Sequence, residues 1–132
     1  MPDRERQEFR VAGLNEPISH YTDAVRFADL LFVSGIGPLA DDGSLVGAGD
    51  AAEQTRQIFR NMDKVLRAAG ASPADVIKVT VYLTDITDRT KINPARQQFF
   101  GTARPASTLV EVSRLAIPGM RVEIEAVFGL RR

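Results

Sequence analysis

The chain has 132 residues, 44% hydrophobic and 26% charged, and its seventeen basic and seventeen acidic side chains cancel to a formal charge of zero. That size and balance predict one globular domain over residues 1–132 and argue against a partner tracked through phosphates, which calls for a clustered basic excess. With no cysteine, disulfides, a thiolate nucleophile and a cysteine zinc site are excluded. No apolar run reaches the ~18 residues of a membrane span, and the charged start MPDRERQEF lacks the apolar core of a secretory signal. The expectation is therefore a cytoplasmic protein with neither a membrane nor a nucleic-acid partner.

Taken in order, FRVAGL (9–14) reads as a first short strand. AVRFADLLFVSG (24–35) reads as a hairpin turning at Ala28-Asp29, and GPLADDGSLVG (37–47) as a loop with its turn at Asp41-Asp42-Gly43. A helix begins after Asp50, a good N-cap with Glu53 placed for a capping box. Thr55, Ile58, Phe59, Met62, Val65 and Leu66 recur at helical spacing and form one buried stripe. Gly70 ends that helix, and Ser72-Pro73 opens a single turn. VIKVTVYL (76–83) is the clearest strand, with Ile77, Val79, Val81 and Leu83 on one face. A shorter helix follows, with Asn93 as cap and Pro94 as first helical residue, stopping at Gly101. STLVEV (107–112) and MRVEIEAVFGL (120–130) are the last strands. In the final one Val122, Ile124, Ala126 and Phe128 share a face, and Glu123 and Glu125 share the other.

The order β, β, β, α, β, α, β, β offers two helices, enough to cover one face of a sheet. The fold class is α+β, a two-layer sandwich with a mixed sheet. The uncovered face is assigned Lys78, Thr80, Tyr82, Ser107, Leu109, Glu111, Glu123 and Val127. A water-facing sheet alternates more cleanly than this mixture, so another copy of the chain is expected to cover part of it.

Candidates for chemistry are few. His20, the one imidazole, could be a general base or a solvated loop side chain. Asp41-Asp42 could suggest a metal, but reads better as a turn. The glycines are scattered turn residues with no phosphate cradle. Glu123 and Glu125 could hold a water or act as acid and base. On pattern alone they read equally as strand carboxylates paired to Lys78 or an arginine.

VSG (33–35), AAEQTRQIFRNMDKVLRAAGASPADVIKVTVYLTD (51–85), the IN…FF spacing (92–100) and RPASTLVEVSRL…VEIEAV (104–127) together resemble the Rid/YjgF family of enamine/imine deaminases. The resemblance runs from about Tyr21 to Val127. It implies a chorismate-mutase-like fold in a homotrimer, with sheets forming a central barrel and small-molecule ligand clefts between neighbouring subunits. It also implies hydrolysis of 2-imino or 2-enamino acids to 2-oxo acids and ammonia, with no metal and no cofactor. Carried over by position, Glu123 would hold the attacking water, and Tyr21, Ser34, Gly35, Asn93, Ser107 and Leu109 would bind substrate.

One position departs from the pattern. Deaminating members carry Pro-Ala-Arg before this strand, and the arginine grips the substrate carboxylate; here the residues are Pro105-Ala106-Ser107. A hydroxyl does not replace a bidentate guanidinium, so an altered substrate range is expected. Arg104 could take over, or be a solvated turn arginine. A trimer that binds ligand or protein without catalysis is the alternative. The ribonuclease role sometimes attached to the family fits least with zero net charge.

Overall fold

In the computed structural model, which describes residues 5–131, six strands form one mixed sheet: β1 (Gln7–Phe9), β2 (Ala24–Phe27), β3 (Leu30–Ile36), β4 (Val76–Leu83), β5 (Ala106–Glu111) and β6 (Val122–Gly129). Their order across the sheet is β1-β2-β3-β6-β4-β5. The pairings are antiparallel except β4 with β5, which run parallel. Two helices, α1 (Ala51–Ala69) and α2 (Asn93–Phe100), pack on one face, giving the expected α+β arrangement.

The core is where periodicities of 3.6 and 2 meet. Ile58, Met62, Val65 and Leu66 of α1 are fully buried against Leu31 of β3, Val79, Val81 and Leu83 of β4, and Val122, Ile124 and Phe128 of β6. Each such side chain contributes about 1.5–3 kcal/mol of transfer free energy. α1 starts as read, with Asp50 Oδ1 accepting from the Glu53 N–H at 3.0 Å. The capping box stays half-made, because the Asp50 N–H goes to Gly47 O at 2.9 Å and Glu53 turns to Arg60 and Arg56. Gly70, at φ 79°, ends the helix in the left-handed region. α2 packs through Phe99, stacked on Phe59 with ring centroids 4.5 Å apart.

Several expectations are corrected. The first strand lies at residues 7–9 rather than 9–14, because the buried Asp23 carboxylate accepts from the Val11 N–H at 2.7 Å and from Arg10 at 2.8 Å. Those bonds draw the chain out of the ladder. Ile77 leaves the core face: the register passes from Val76↔Phe128 to Lys78↔Val127, and the bulge leaves Ile77 exposed. A 3₁₀ turn at Ile86–Thr90, absent from the sequence reading, buries Asp88 between Arg121 and Lys91. Asn93 is the first helical residue rather than the cap, since the first helical N–H bond, from Arg96, reaches Ile92 O.

The largest correction concerns β5. Ser107, Leu109 and Glu111 sit beside Val79, Val81 and Leu83, and neighbouring residues in register point to the same side. They therefore belong to the helix face, not the open one. Leu109 packs on the core and Glu111 accepts from the Ile86 N–H at 2.9 Å. Thr108 and Val110 take the open face, where Lys78 donates to Thr108 Oγ1 at 2.7 Å. ASTLVE carries too little apolar contrast to set its own register, and a slip of one residue exchanges the faces.

The hairpin turns at Ala28-Asp29 as read, with Phe27 opposite Leu30. Ala28 holds φ at 54°, a region that costs a non-glycine residue about 1–2 kcal/mol. Ala28→Gly is expected to stabilise the protein by up to about 1 kcal/mol after glycine's larger unfolded-state entropy is counted. Denaturant midpoints compared at equal protein concentration check this.

Candidate active site

The centre of the candidate site is set by an irregularity in β3. Between Val33↔Ala126 and Ile36↔Ile124 the strand carries one extra residue, a bulge at Ser34-Gly35. The extra residue returns Ile36 to the core and leaves Gly35 facing Glu123 of β6. A Cβ on Gly35 would lie 2.4 Å from Glu123 Oε2, inside van der Waals contact. Only glycine gives the carboxylate this place.

Glu123 is half-buried, and among the described residues its carboxylate has no hydrogen-bond or ion-pair partner. Burial, with a smaller push from the charge of Glu125, raises its carboxyl above the ordinary range. Glu125 is exposed and accepts from the Tyr82 hydroxyl at 2.5 Å; that bond is the first cause of a raised phenol pKa. The alternative reading, in which these carboxylates pair with Lys78 or an arginine, is not what the chain does, since Lys78 is turned to Thr108.

Tyr21, Ser34, Gly35 and Glu123 come together in one cleft with Ile18 and Ala116. Behind it the same four residues border a recess of about 50 Å³, room for a water by a criterion of ~10–15 Å³. Ser34 has a structural task here: its hydroxyl donates to Thr22 O at 2.6 Å, and its N–H to Asp23 O at 3.0 Å. Those bonds tie the segment bearing Tyr21 to β3. Two buried amides of α1, both unremarked in the sequence, fix the surroundings. Gln54 donates to Gly119 O at 3.0 Å and accepts from the Arg121 N–H at 2.7 Å, seating the entry to β6. Asn61 donates to Leu39 O at 2.9 Å and Gly37 O at 3.2 Å, seating the exit of β3.

The remaining expected residues lie elsewhere in the chain. Ser107 and Leu109 are on β5, separated from β6 by β4. Asn93 lines a second cleft with Arg96, Gln97, Arg104 and Pro105. Arg96, which the sequence reading did not single out, donates from Nη2 to Ser107 Oγ at 2.9 Å. Its signal was its spacing, three residues after Asn93 and so on the same helical face. His20 is exposed. Asp42 Oδ1 accepts from the Ser44 N–H at 2.9 Å and hydroxyl at 2.6 Å, as in a turn.

With this geometry, similarity to known proteins is informative. Residues 13–128 match the family model described as Endoribonuclease L-PSP, and a Rid family protein of Yersinia pestis has a solved structure with a TM-score of 0.89, 34% identity and coverage of 96% of this chain and 100% of that one. The chain belongs to the Rid/YjgF family. Among Rid/YjgF relatives, the human 2-iminobutanoate/2-iminopropanoate deaminase is 39% identical over 111 residues, 83% of this chain and 80% of its own. The 3-aminoacrylate deaminase RutC of Acinetobacter baylyi is 35% identical over 115 residues, 87% of this chain and 90% of its own. Among the described residues no helix is long and apolar enough to cross a membrane.

The raised carboxyl of Glu123 has a consequence for stability. The folded state holds this proton more tightly than the unfolded chain, so the stability it contributes is full below the ordinary carboxyl range. It is lost as pH rises through the raised folded value. Glu123→Gln, uncharged throughout, is expected to melt higher than the natural protein at pH 7, with the gap closing towards pH ~4. Thermal unfolding at a series of pH values measures this; a gap independent of pH would contradict it.

Proposed function

We propose that the protein is a homotrimeric hydrolase that deaminates small 2-imino and 2-enamino acids to 2-oxo acids and ammonia, without metal or cofactor. The observation that carries the reading is Glu123: a half-buried, unpartnered carboxylate against Gly35, bordering a recess of water size. The names of the human and Acinetobacter relatives support the substrate class. In the reaction Glu123 holds a water and takes its proton as the oxygen adds to the imine carbon. Addition to the protonated imine leaves a neutral amino alcohol, and Glu123 returns its proton to the nitrogen. The carbon–nitrogen bond breaks as the hydroxyl oxygen becomes the carbonyl and passes its proton to the departing ammonia, and ammonium leaves. A carboxyl raised by burial suits both halves, because the carboxylate is the stronger base and more of it is held protonated at the working pH to return the proton.

Where the pieces lie supports the trimer. Tyr21, Ser34, Gly35 and Glu123 form one cleft, while Asn93, Ser107 and the free edge of β5 are across the sheet. A second copy presenting its β5 edge to the Glu123 cleft unites the two halves, with the Leu109 backbone available to ligand. The sheet face that no helix covers supports this assembly. Its Phe32 and Val110 are 45% and 38% exposed, and burying them between copies removes apolar surface from water. The family model's description names an endoribonuclease, but a formal charge of zero does not favour an RNA backbone as the substrate.

Three measurements test the proposal. Light scattering is expected to give three times 14.5 kDa; a monomer at all concentrations would remove the shared cleft. Coupling to a threonine dehydratase, which releases 2-iminobutanoate, is expected to show faster ammonia release with the protein than without. Glu123→Gln should reduce the added rate at least ~100-fold, the low end of a general base's contribution. Gly35→Ala should also lose activity while its melting temperature changes little, because its Cβ displaces the end of a flexible side chain rather than backbone. A trimer that binds 2-oxobutanoate yet releases no ammonia faster than the control would instead be a ligand-binding protein.

A further inference from the structure

Ser107 occupies the position where the family resemblance expects an arginine, and the structure shows what a hydroxyl there does. It accepts a hydrogen bond from Arg96 Nη2 at 2.9 Å. Arg96 reaches β5 from α2, three residues after Asn93, and the two line one cleft. Other helix arginines meet carboxylates: Arg56 and Arg60 pair with Glu53, and Arg67 with Asp63. Arg96 pairs with no carboxylate among the described residues, although it is partly withdrawn from water and burial lowers its pKa. A guanidinium has five N–H donors in a planar fork, and the neutral Ser107 oxygen uses one of them. A half-buried cation that keeps most of its donors free is prepared for an anion.

Resting on the deaminase reading above, we propose that Arg96 is the carboxylate receptor of this protein and that Ser107 is its latch, so that the substrate class is anionic imino or enamino acids rather than neutral imines. The charge that the family resemblance places on β5 is brought here from α2. The hydroxyl at 107 is short enough to leave space for the Arg96 side chain and holds it against the β5 edge. Arg104 borders the same cleft but is exposed, and it is Arg96 that meets Ser107. On this arrangement an arginine placed at 107 would not help. Ser107→Arg would remove the latch and set a second guanidinium against the first, which like-charge repulsion opposes.

The test separates carboxylate binding from deamination. 2-Oxobutanoate, the product, is titrated calorimetrically into the natural protein and into Arg96→Gln, Arg96→Lys and Ser107→Arg, with 2-oxobutanamide as the uncharged control. Circular dichroism and light scattering establish that each variant keeps the fold and assembly of the natural protein. Arg96→Gln is expected to weaken 2-oxobutanoate binding at least ~10-fold and to leave the amide unchanged. Arg96→Lys should recover part of the loss, since it keeps the charge but not the fork. In the dehydratase-coupled assay Arg96→Gln should raise KM more than it lowers kcat. Ser107→Arg should bind 2-oxobutanoate no better than the natural protein. Unaltered 2-oxobutanoate binding by folded Arg96→Gln overturns the proposal even if deamination is found. Failure of the natural protein to bind 2-oxobutanoate overturns it too. Arg96-dependent binding without any deamination sustains the receptor and rejects the deaminase reading instead.

Discussion

The candidate site depends on the distance between the β3 backbone and one carboxylate. Glu123 can rest where it does because Gly35 has no Cβ, and Gly35 is turned towards it because β3 carries one residue more than β6 opposite it. The bulge does two things at once. It keeps Ile36 in the core, so the strand loses no burial, and it opens the sheet where a polar group must be half-buried. The flanking Val122 and Ile124 are fully buried, which fixes the strand phase and leaves Glu123 no face but the open one. Gln54 and Asn61 then tie the ends of both strands to α1. The carboxylate is partly desolvated by that surround, and its raised pKa follows first from burial and second from the charge of Glu125.

A second constraint is that one copy of the chain holds the residues of the proposed site in two separate clefts. The Glu123 cleft supplies the group proposed for proton transfer; the α2–β5 edge supplies a cation that pairs with no carboxylate among the described residues. Neither part alone combines the two. β5 is an edge strand, and edge strands with open backbone groups are surfaces that other chains meet. The parallel pairing of β4 with β5 requires a crossover, α2 is part of it, and from there the Arg96 side chain reaches Ser107 on the strand. On the proposed reading, a serine at 107 does not empty the subsite of charge, because Arg96 of the neighbouring helix reaches it.

Much of the scaffold was legible in the sequence for plain reasons. α1 announces itself through an apolar stripe at helical spacing between Asp50 and Gly70, and β6 through strict alternation from Val122 to Phe128. What escaped notice came from contacts made by residues distant in sequence. Asp23 shortens the first strand by taking the Val11 N–H, and a bulge turns Ile77 outward. ASTLVE carries no contrast that could say which side Ser107 faces, so it was assigned to the wrong one. Glu123 was singled out by resemblance, because pattern alone suits an ion pair with Lys78 equally well. Arg96 was missed because its bond to Ser107 joins a helix to a strand across a loop.

The proposed site rests on Glu123 being a half-buried carboxylate with no partner among the described residues, and that can be measured directly. In protein labelled with ¹³C at the glutamate side-chain carboxyl, each carboxyl is titrated by NMR, and Glu123 is assigned by the resonance that disappears in Glu123→Gln. The expectation is that this resonance titrates above the ordinary glutamate value of about 4.3. Titration of Glu123 at or below the ordinary value would contradict it, because the carboxylate would then be solvated or paired rather than held dry against Gly35.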